Sequence, residues 1–190
     1  MYFIIGLGNP GEQYARTRHN VAWILFDMLL GEEVWEYDAF LSARVAVTEL
    51  AGKEVVFMKP LTFMNRSGEV LPALRKKYKA FSPNRIVVVH DELDLLLGEV
   101  RVAFARGHAG HNGVKSIMQH LKTKAFWRLR VGIARKLEDG RFIKPPVLAP
   151  FSQEEMTVLS GQVFPRFQEK LVGILEGRKE GIPLLKERKK

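Results

Sequence analysis

Five residues in this chain have the types and the spacing to do chemistry together: Asn9, His19, Asn65, Asp91 and Asn112. A histidine can take a proton near neutral pH. A carboxylate against one of its ring nitrogens fixes the tautomer and favours the imidazolium that forms. Asparagine amides add donors for a developing oxyanion, and acceptors for a substrate N–H or a water, without adding charge. Brought into one crevice, such a set suits attack of an activated water on a carbonyl. The chain contains no cysteine, which excludes thiolate nucleophiles, thiolate metal sites and disulfides. It has no G-x-S-x-G elbow, and Ser67 stands in no recognisable triad pattern, so a covalent acyl-enzyme is the weaker route.

These residues meet only if strands carry them to one end of a sheet, since ligands in open α/β sheets bind beyond the strands' carboxyl ends. The apolar run at 3–7 is closed by Gly8, Asn9, Pro10 and Gly11, a buried strand entering a sharp loop. The β-branched run "RIVVVHDE" at 85–92 marks a central strand with His90 and Asp91 at its carboxyl end. Runs at 44–50 and 53–59 flank Ala51 and Gly52 as a hairpin, Pro60 closes it, and Asn65 follows. A strand at 99–104 leads through "ARGHAGHNG" into a helix at 114–121, then to the strand "FWRLRVGIA". Further helices are expected at 20–30 and 64–79, the latter containing Pro72. Ser152 and Glu155 form a capping box for a helix reaching about residue 175, bent around Gly161 and Pro165. The expectation is one α/β domain over 1–190: a mixed, mostly parallel twisted sheet with an antiparallel hairpin, helices on both faces, and a frayed tail near 184–190.

Composition points to an anionic partner. The 190 residues carry 30 Lys and Arg against 21 Asp and Glu, a formal charge of +9, which favours nucleic acid. With no basic, apolar leader and no apolar run of membrane-spanning length, a cytoplasmic protein is expected. Gly6, Gly8 and Gly11 satisfy the dinucleotide pattern G-x-G-x-x-G, but "EQYARTRHN" follows, so the third glycine opens no helix. The acidic residue at the right distance, Asp27, lies inside an apolar helix. The pattern then reads as a tight exit from the strand beside a ligand, with Asn9 aimed into the crevice. His90, Asp91, Asp94, His108 and His111 invite a metal reading. Against it, His108 and His111 lie in a glycine-rich loop, and His90 alternates away from Asp91.

In order and spacing, "GLGNPGEQYARTRHN", "KPLTFMNRSG", "VVHDELDL" and "GHAGHNGVKSI" resemble the signature segments of the bacterial peptidyl-tRNA hydrolase family, over most of residues 1–135. The resemblance implies a monomer that hydrolyses the ester joining a peptide to the terminal ribose of tRNA, with no metal or organic cofactor. It makes His19 the base and Asp91 its partner, and it has Asn9 sense the acylated α-amine. Asn65 and Asn112 would hold the substrate, while Tyr14, Phe63 and Met64 shape a slot for the terminal adenosine and peptide. Arg101 and Arg130 match positions that contact phosphates of the acceptor stem. Ala103 stands where a second basic residue is common, with Arg106 or Arg66 as substitutes, and the stretch after 133 lacks a usual proline. A non-catalytic RNA-binding relative of the same fold is the alternative, and the intact His19, Asp91 and three asparagines argue against it.

Overall fold

Along the chain, and over residues 1–178, which the computed structural model describes, the elements are as follows. They are β1 (Tyr2–Gly6), α1 (Val21–Leu30), β2 (Glu36–Asp38), β3 (Ala43–Leu50), β4 (Lys53–Pro60), α2 (Val70–Lys77), β5 (Ile86–Leu96), β6 (Val100–Phe104), α3 (Asn112–Leu121), β7 (Trp127–Lys136), β8 (Phe142–Ile143), α4 (Gln153–Val158) and α5 (Phe164–Leu175). The tail near 184–190 lies outside the described residues.

The sheet runs β2-β3-β4-β1-β5-β7-β6, with β8 added to β7. Its centre is parallel: β4 with β1, β1 with β5, and β5 with β7. The β3–β4 hairpin and the β6–β7 and β7–β8 pairs are antiparallel. Alternation along the central strands sends side chains to two cores. Ile4, Val87 and Val89 pack with α1 and α5, whereas Phe3, Ile5, Ile86 and Val88 pack with α2 and α3. The expected mixed α/β fold with helices on both faces is therefore the observed one.

Three local differences bear on the site. The strand expected to end at Glu92 continues to Leu96, because β7 keeps pairing with it across an irregularity between Glu92 and Leu96. Asp91 is thus inside β5, and the crevice opens there because β1 stops at Gly6, level with Val89. The helix expected over 64–79 is a 3-10 turn, Met64–Glu69, followed by the shorter α2. Gly68 there packs on the Ser116 carbonyl so closely that a Cβ would collide with it. The C-terminal helix keeps its capping box, and the expected bend is a widened π turn, Leu159–Val163, that contains Gly161 and precedes Pro165.

Gly6, which ends β1, and Gly8 have a packing role that was not expected. A Cβ at Gly6 would lie 2.6 Å from the Phe26 ring, and one at Gly8 2.7 Å from Trp23. They admit α1 against the sheet, so close helix packing requires them.

Candidate active site

His19 sits in a 3-10 turn, Arg18–Asn20, that leads into α1, and its ring crosses to β5. Its Nδ1 lies 2.8 Å from Asp91 Oδ1. The same oxygen is 2.9 Å from His111 Nε2, brought by the glycine-rich loop. Only one proton arrangement of the neutral rings satisfies this network. The Val114 backbone N–H donates to His111 Nδ1 as the helix cap of α3, so Nδ1 is the acceptor and Nε2 carries the proton. His19 likewise faces a carboxylate with Nδ1, so Nδ1 carries its proton and the lone pair lies on Nε2. Two N–H groups thus converge on one buried oxygen.

Burial alone would raise the Asp91 pKa. Electrostatic attraction to His111 and the hydrogen bonds from His111 and His19 outweigh it and hold the carboxyl well below its ordinary value. Beneath it His90 is fully buried, with Nδ1 donating to the Asp91 carbonyl at 2.6 Å. Burial first, and then the neighbouring His111, push its pKa well down, so it is a neutral floor to the site.

The three donor atoms of His19, Asp91 and His111 lie within 4.8 Å of one another, a set that can hold a metal ion. It differs from the set weighed in the sequence, since His90 turns away and His19 joins. Ligation through His111 Nε2 would move that ring's proton to Nδ1, against the Val114 N–H, so the helix cap opposes it.

His19, Asp91 and Asn112 line one crevice of about 320 Å³, with Leu93, Lys144 and Val147 on its walls. Asn9 is buried behind it. Its Oδ1 accepts the Met64 N–H at 2.8 Å, and its backbone N–H and carbonyl are both bound by the Asn20 side chain at 2.9 Å. Because Oδ1 is taken, the end of Asn9 left for a ligand is its NH2, a donor. Asn65 and Phe63 are exposed beside Met64, whereas Met64 is buried in the core under Gly113. Tyr14 is half-buried in a 3-10 turn and does not line the crevice. A larger hollow, about 500 Å³, lies by β2 between Tyr37, Lys77 and Tyr78, and it contains no histidine to act as base.

The arginines on β6 and β7 share one face. Arg101 pairs across the strands with Arg130, and Ala103 with Arg128. Arg101 is exposed and bound to Glu99 at 2.7 Å, while Arg130 is buried with its Nε on Glu92 at 2.9 Å. Arg106 is exposed, and Arg66 is held by Glu69. Arg128 is buried. Its Nη1 donates to the Gly107 carbonyl, but its Nε and Nη2 have no partner among the described residues. Burial first, then repulsion from Arg130 and Arg106, bring its pKa down to about 10.

Sequence reasoning did not assign roles to His111, Asn20 and Arg128. Each sits one or two positions from a residue it did single out, so the signal available was adjacency to Asn112, His19 and Arg130.

The His19–Asp91 pair thus faces a crevice beyond the end of β1 in a mixed α/β sheet, the place where ligands bind in such sheets. Comparison with known proteins names the family. The profile of the family described as peptidyl-tRNA hydrolase matches residues 3–189, and the chain belongs to that family. It is 43% identical over 162 residues to the peptidyl-tRNA hydrolase of Desulfitobacterium hafniense, covering 84% of this chain and 85% of that one. It is 40% identical over 183 residues to that of Thermotoga petrophila, covering 95% of each. The crystal structure of the peptidyl-tRNA hydrolase from Acinetobacter baumannii superposes with a TM-score of 0.78 at 31% identity, covering 93% of this chain and 89% of that one.

Proposed function

We propose that this chain hydrolyses the ester between a peptide and the terminal ribose of tRNA, with water activated by His19. The observation that carries the mechanism is the shared Asp91 oxygen. Both N–H groups point at it, which leaves the His19 Nε2 lone pair to take a proton from water, and the carboxylate then stabilises the imidazolium. His111 holds the carboxylate from the other side. Asn112, beside this pair, donates to the carbonyl oxygen as negative charge develops there.

Asn9 distinguishes the substrate by its free NH2. A peptidyl group offers that donor an amide carbonyl oxygen, whereas an unblocked aminoacyl group offers an ammonium, which is itself a donor. Asn65, Phe63 and Tyr14 take the terminal adenosine and the adjoining peptide, with Phe63 supplying a stacking face. Met64 acts from below by holding Asn9. Arg101 and Arg130 attract acceptor-stem phosphates, and the buried charge of Arg128 stands in for the basic residue missing at Ala103. No helix among the described residues is long and apolar enough to cross a membrane. The reading is of a monomer acting in the cytoplasm on peptidyl-tRNA released during translation.

The test is release of N-acetyl-aminoacyl groups from tRNA by the wild type and His19→Ala. Losing a general base is expected to lower kcat roughly 10³-fold while tRNA binding persists. Undiminished turnover would sink the mechanism.

A further inference from the structure

One buried ion pair has no part in the mechanism above and touches the residue next to its base. Arg18 precedes His19 and is 6% exposed. Its Nη2 donates to both carboxylate oxygens of Glu155, at 2.8 and 2.6 Å. Its Nη1 donates to the Ala149 and Pro150 carbonyls, at 3.1 and 2.9 Å. The backbones are joined as well: Arg18 N–H to the Ala149 carbonyl, His19 N–H to that of Val147 at 2.8 Å, and Phe151 N–H to that of Arg16. A strap at residues 147–151 is thereby stitched to a turn more than 125 positions earlier in the chain.

The turn needs this support. The three-residue 3-10 turn is closed locally by two bonds, from the Asn20 N–H to the Thr17 carbonyl and from the Val21 N–H to the Arg18 carbonyl, and so short a turn does not fix a backbone by itself. A buried ion pair seldom adds stability over apolar residues of the same size, so its use here calls for a geometric reason. The planar guanidinium supplies one, since Nη2 reaches both Glu155 oxygens while Nη1 holds two carbonyls of the strap, so one rigid group sets the orientation of both. Glu155 is itself fixed, because its Oε2 also accepts the Ser152 N–H in the capping box of α4. Burial would raise its pKa, but Arg18 and the Ser152 N–H outweigh that and hold the carboxyl below its ordinary value.

We infer that Arg18 and Glu155 are positioning residues for His19: through the strap they anchor the catalytic turn to the first turn of α4, so that the His19 ring meets Asp91 in one tautomer. This rests on the reading of His19 as the base. The strap also contributes Val147 to the crevice wall, so base and wall are set by one element.

Three variants test this. Arg18→Lys keeps the charge and loses the planar group that joins Glu155 to the strap. Glu155→Gln keeps the shape and a capping oxygen but loses the charge. Ser152→Ala weakens the cap of α4 without touching Arg18. On N-acetyl-aminoacyl-tRNA, the first two are expected to lower kcat about 10- to 100-fold, the range for a small misplacement of a catalytic group, with KM within about twofold. Ser152→Ala is expected to keep both constants near wild type. Imidazole ¹⁵N spectra should show His19 as a fixed Nδ1–H tautomer in the wild type and as an average of two in Arg18→Lys and Glu155→Gln. Wild-type kcat in the folded Arg18→Lys and Glu155→Gln proteins overturns the inference, as does an equal loss of kcat in Ser152→Ala. Should the single variants fail to fold, Arg18→Met with Glu155→Met replaces the pair by apolar bulk. That protein is expected to fold and turn over slowly, and wild-type kcat in it is equally fatal. A fully active His19→Ala protein removes the reading of His19 as base instead, and the spectra still report whether the strap fixes the ring.

Discussion

The crevice and the arginine face of β6 and β7 lie on neighbouring strands, yet they treat buried charge in opposite ways. In the crevice the Asp91 carboxylate receives two N–H groups, each of those rings has its second nitrogen assigned by the network or left for chemistry, and His90 closes the floor as a neutral ring. On the arginine face Arg128 is just as deeply buried, but among the described residues it has no carboxylate within ion-pair distance, and two of its three nitrogens have no hydrogen-bond partner. A reacting group must be held to within tenths of an ångström, so its charge is surrounded and fixed. On the proposed function Arg128 would attract a polyanion, work done at a distance that an uncompensated charge suits.

The comparison breaks most readily at Asp91. Asparagine at this position keeps the size but removes the charge from the oxygen that both N–H groups share, and the His19 ring is then free to move its proton to Nε2. A wrong tautomer is expected to lower kcat roughly 10³-fold, with KM for peptidyl-tRNA little changed. Single-turnover hydrolysis measures this directly. A folded Asp91→Asn enzyme within tenfold of wild type means that the carboxylate does not set the tautomer.

A smaller effect is expected at Arg128, where the useful readout is a divergence between stability and binding. Its buried guanidinium, held only through Nη1 and with no carboxylate beside it among the described residues, costs stability, so Arg128→Met should melt at or above the wild-type temperature. The same change should raise KM a few-fold and make the log–log dependence of tRNA affinity on salt shallower by up to about one. Melting curves and a salt titration of binding suffice. A steep loss of melting temperature with an unchanged salt slope would make Arg128 a structural residue and end the contrast with Asp91.

Much of this was legible in the sequence because strand runs, the Ala51–Gly52 turn and the Ser152–Glu155 cap are local signals, and they appear in the structure where they were read. What escaped was set by contacts between distant segments. β5 runs on to Leu96 because β7 pairs with it, a fact no residue of "LDLL" announces. The strap at 147–151 is an irregular proline-containing stretch whose value lies in backbone bonds to residues 16–19. His111 looked like one of two histidines in a glycine-rich loop, and only the folded loop aims it at Asp91. Gly6 and Gly8 had the spacing of a phosphate cradle, and the rings that require them, Phe26 and Trp23, follow 15 to 20 positions later on the helix that covers them.

The finest distinction lies within the arginine face itself. Arg101 and Arg130 stand opposite each other on adjacent strands, but one is exposed and the other is not. Arg130→Ala strips the partner from a buried Glu92, which costs about 3–5 kcal/mol for such pairs, so a raised KM there mixes binding with folding. Arg101 offers the cleaner reading. Its bond to Glu99 is at the surface and contributes about 0–1 kcal/mol, so Arg101→Ala should leave the melting temperature where it was. If a phosphate competes with Glu99 for this guanidinium, the variant should show about a two- to threefold higher KM, an unchanged kcat, and a salt slope shallower by about one. Glu99→Gln should move KM the other way, because it frees Arg101 without removing it. An unchanged KM and slope in both variants would leave phosphate attraction to the buried arginines alone, and the uncompensated charge of Arg128 would then carry the face.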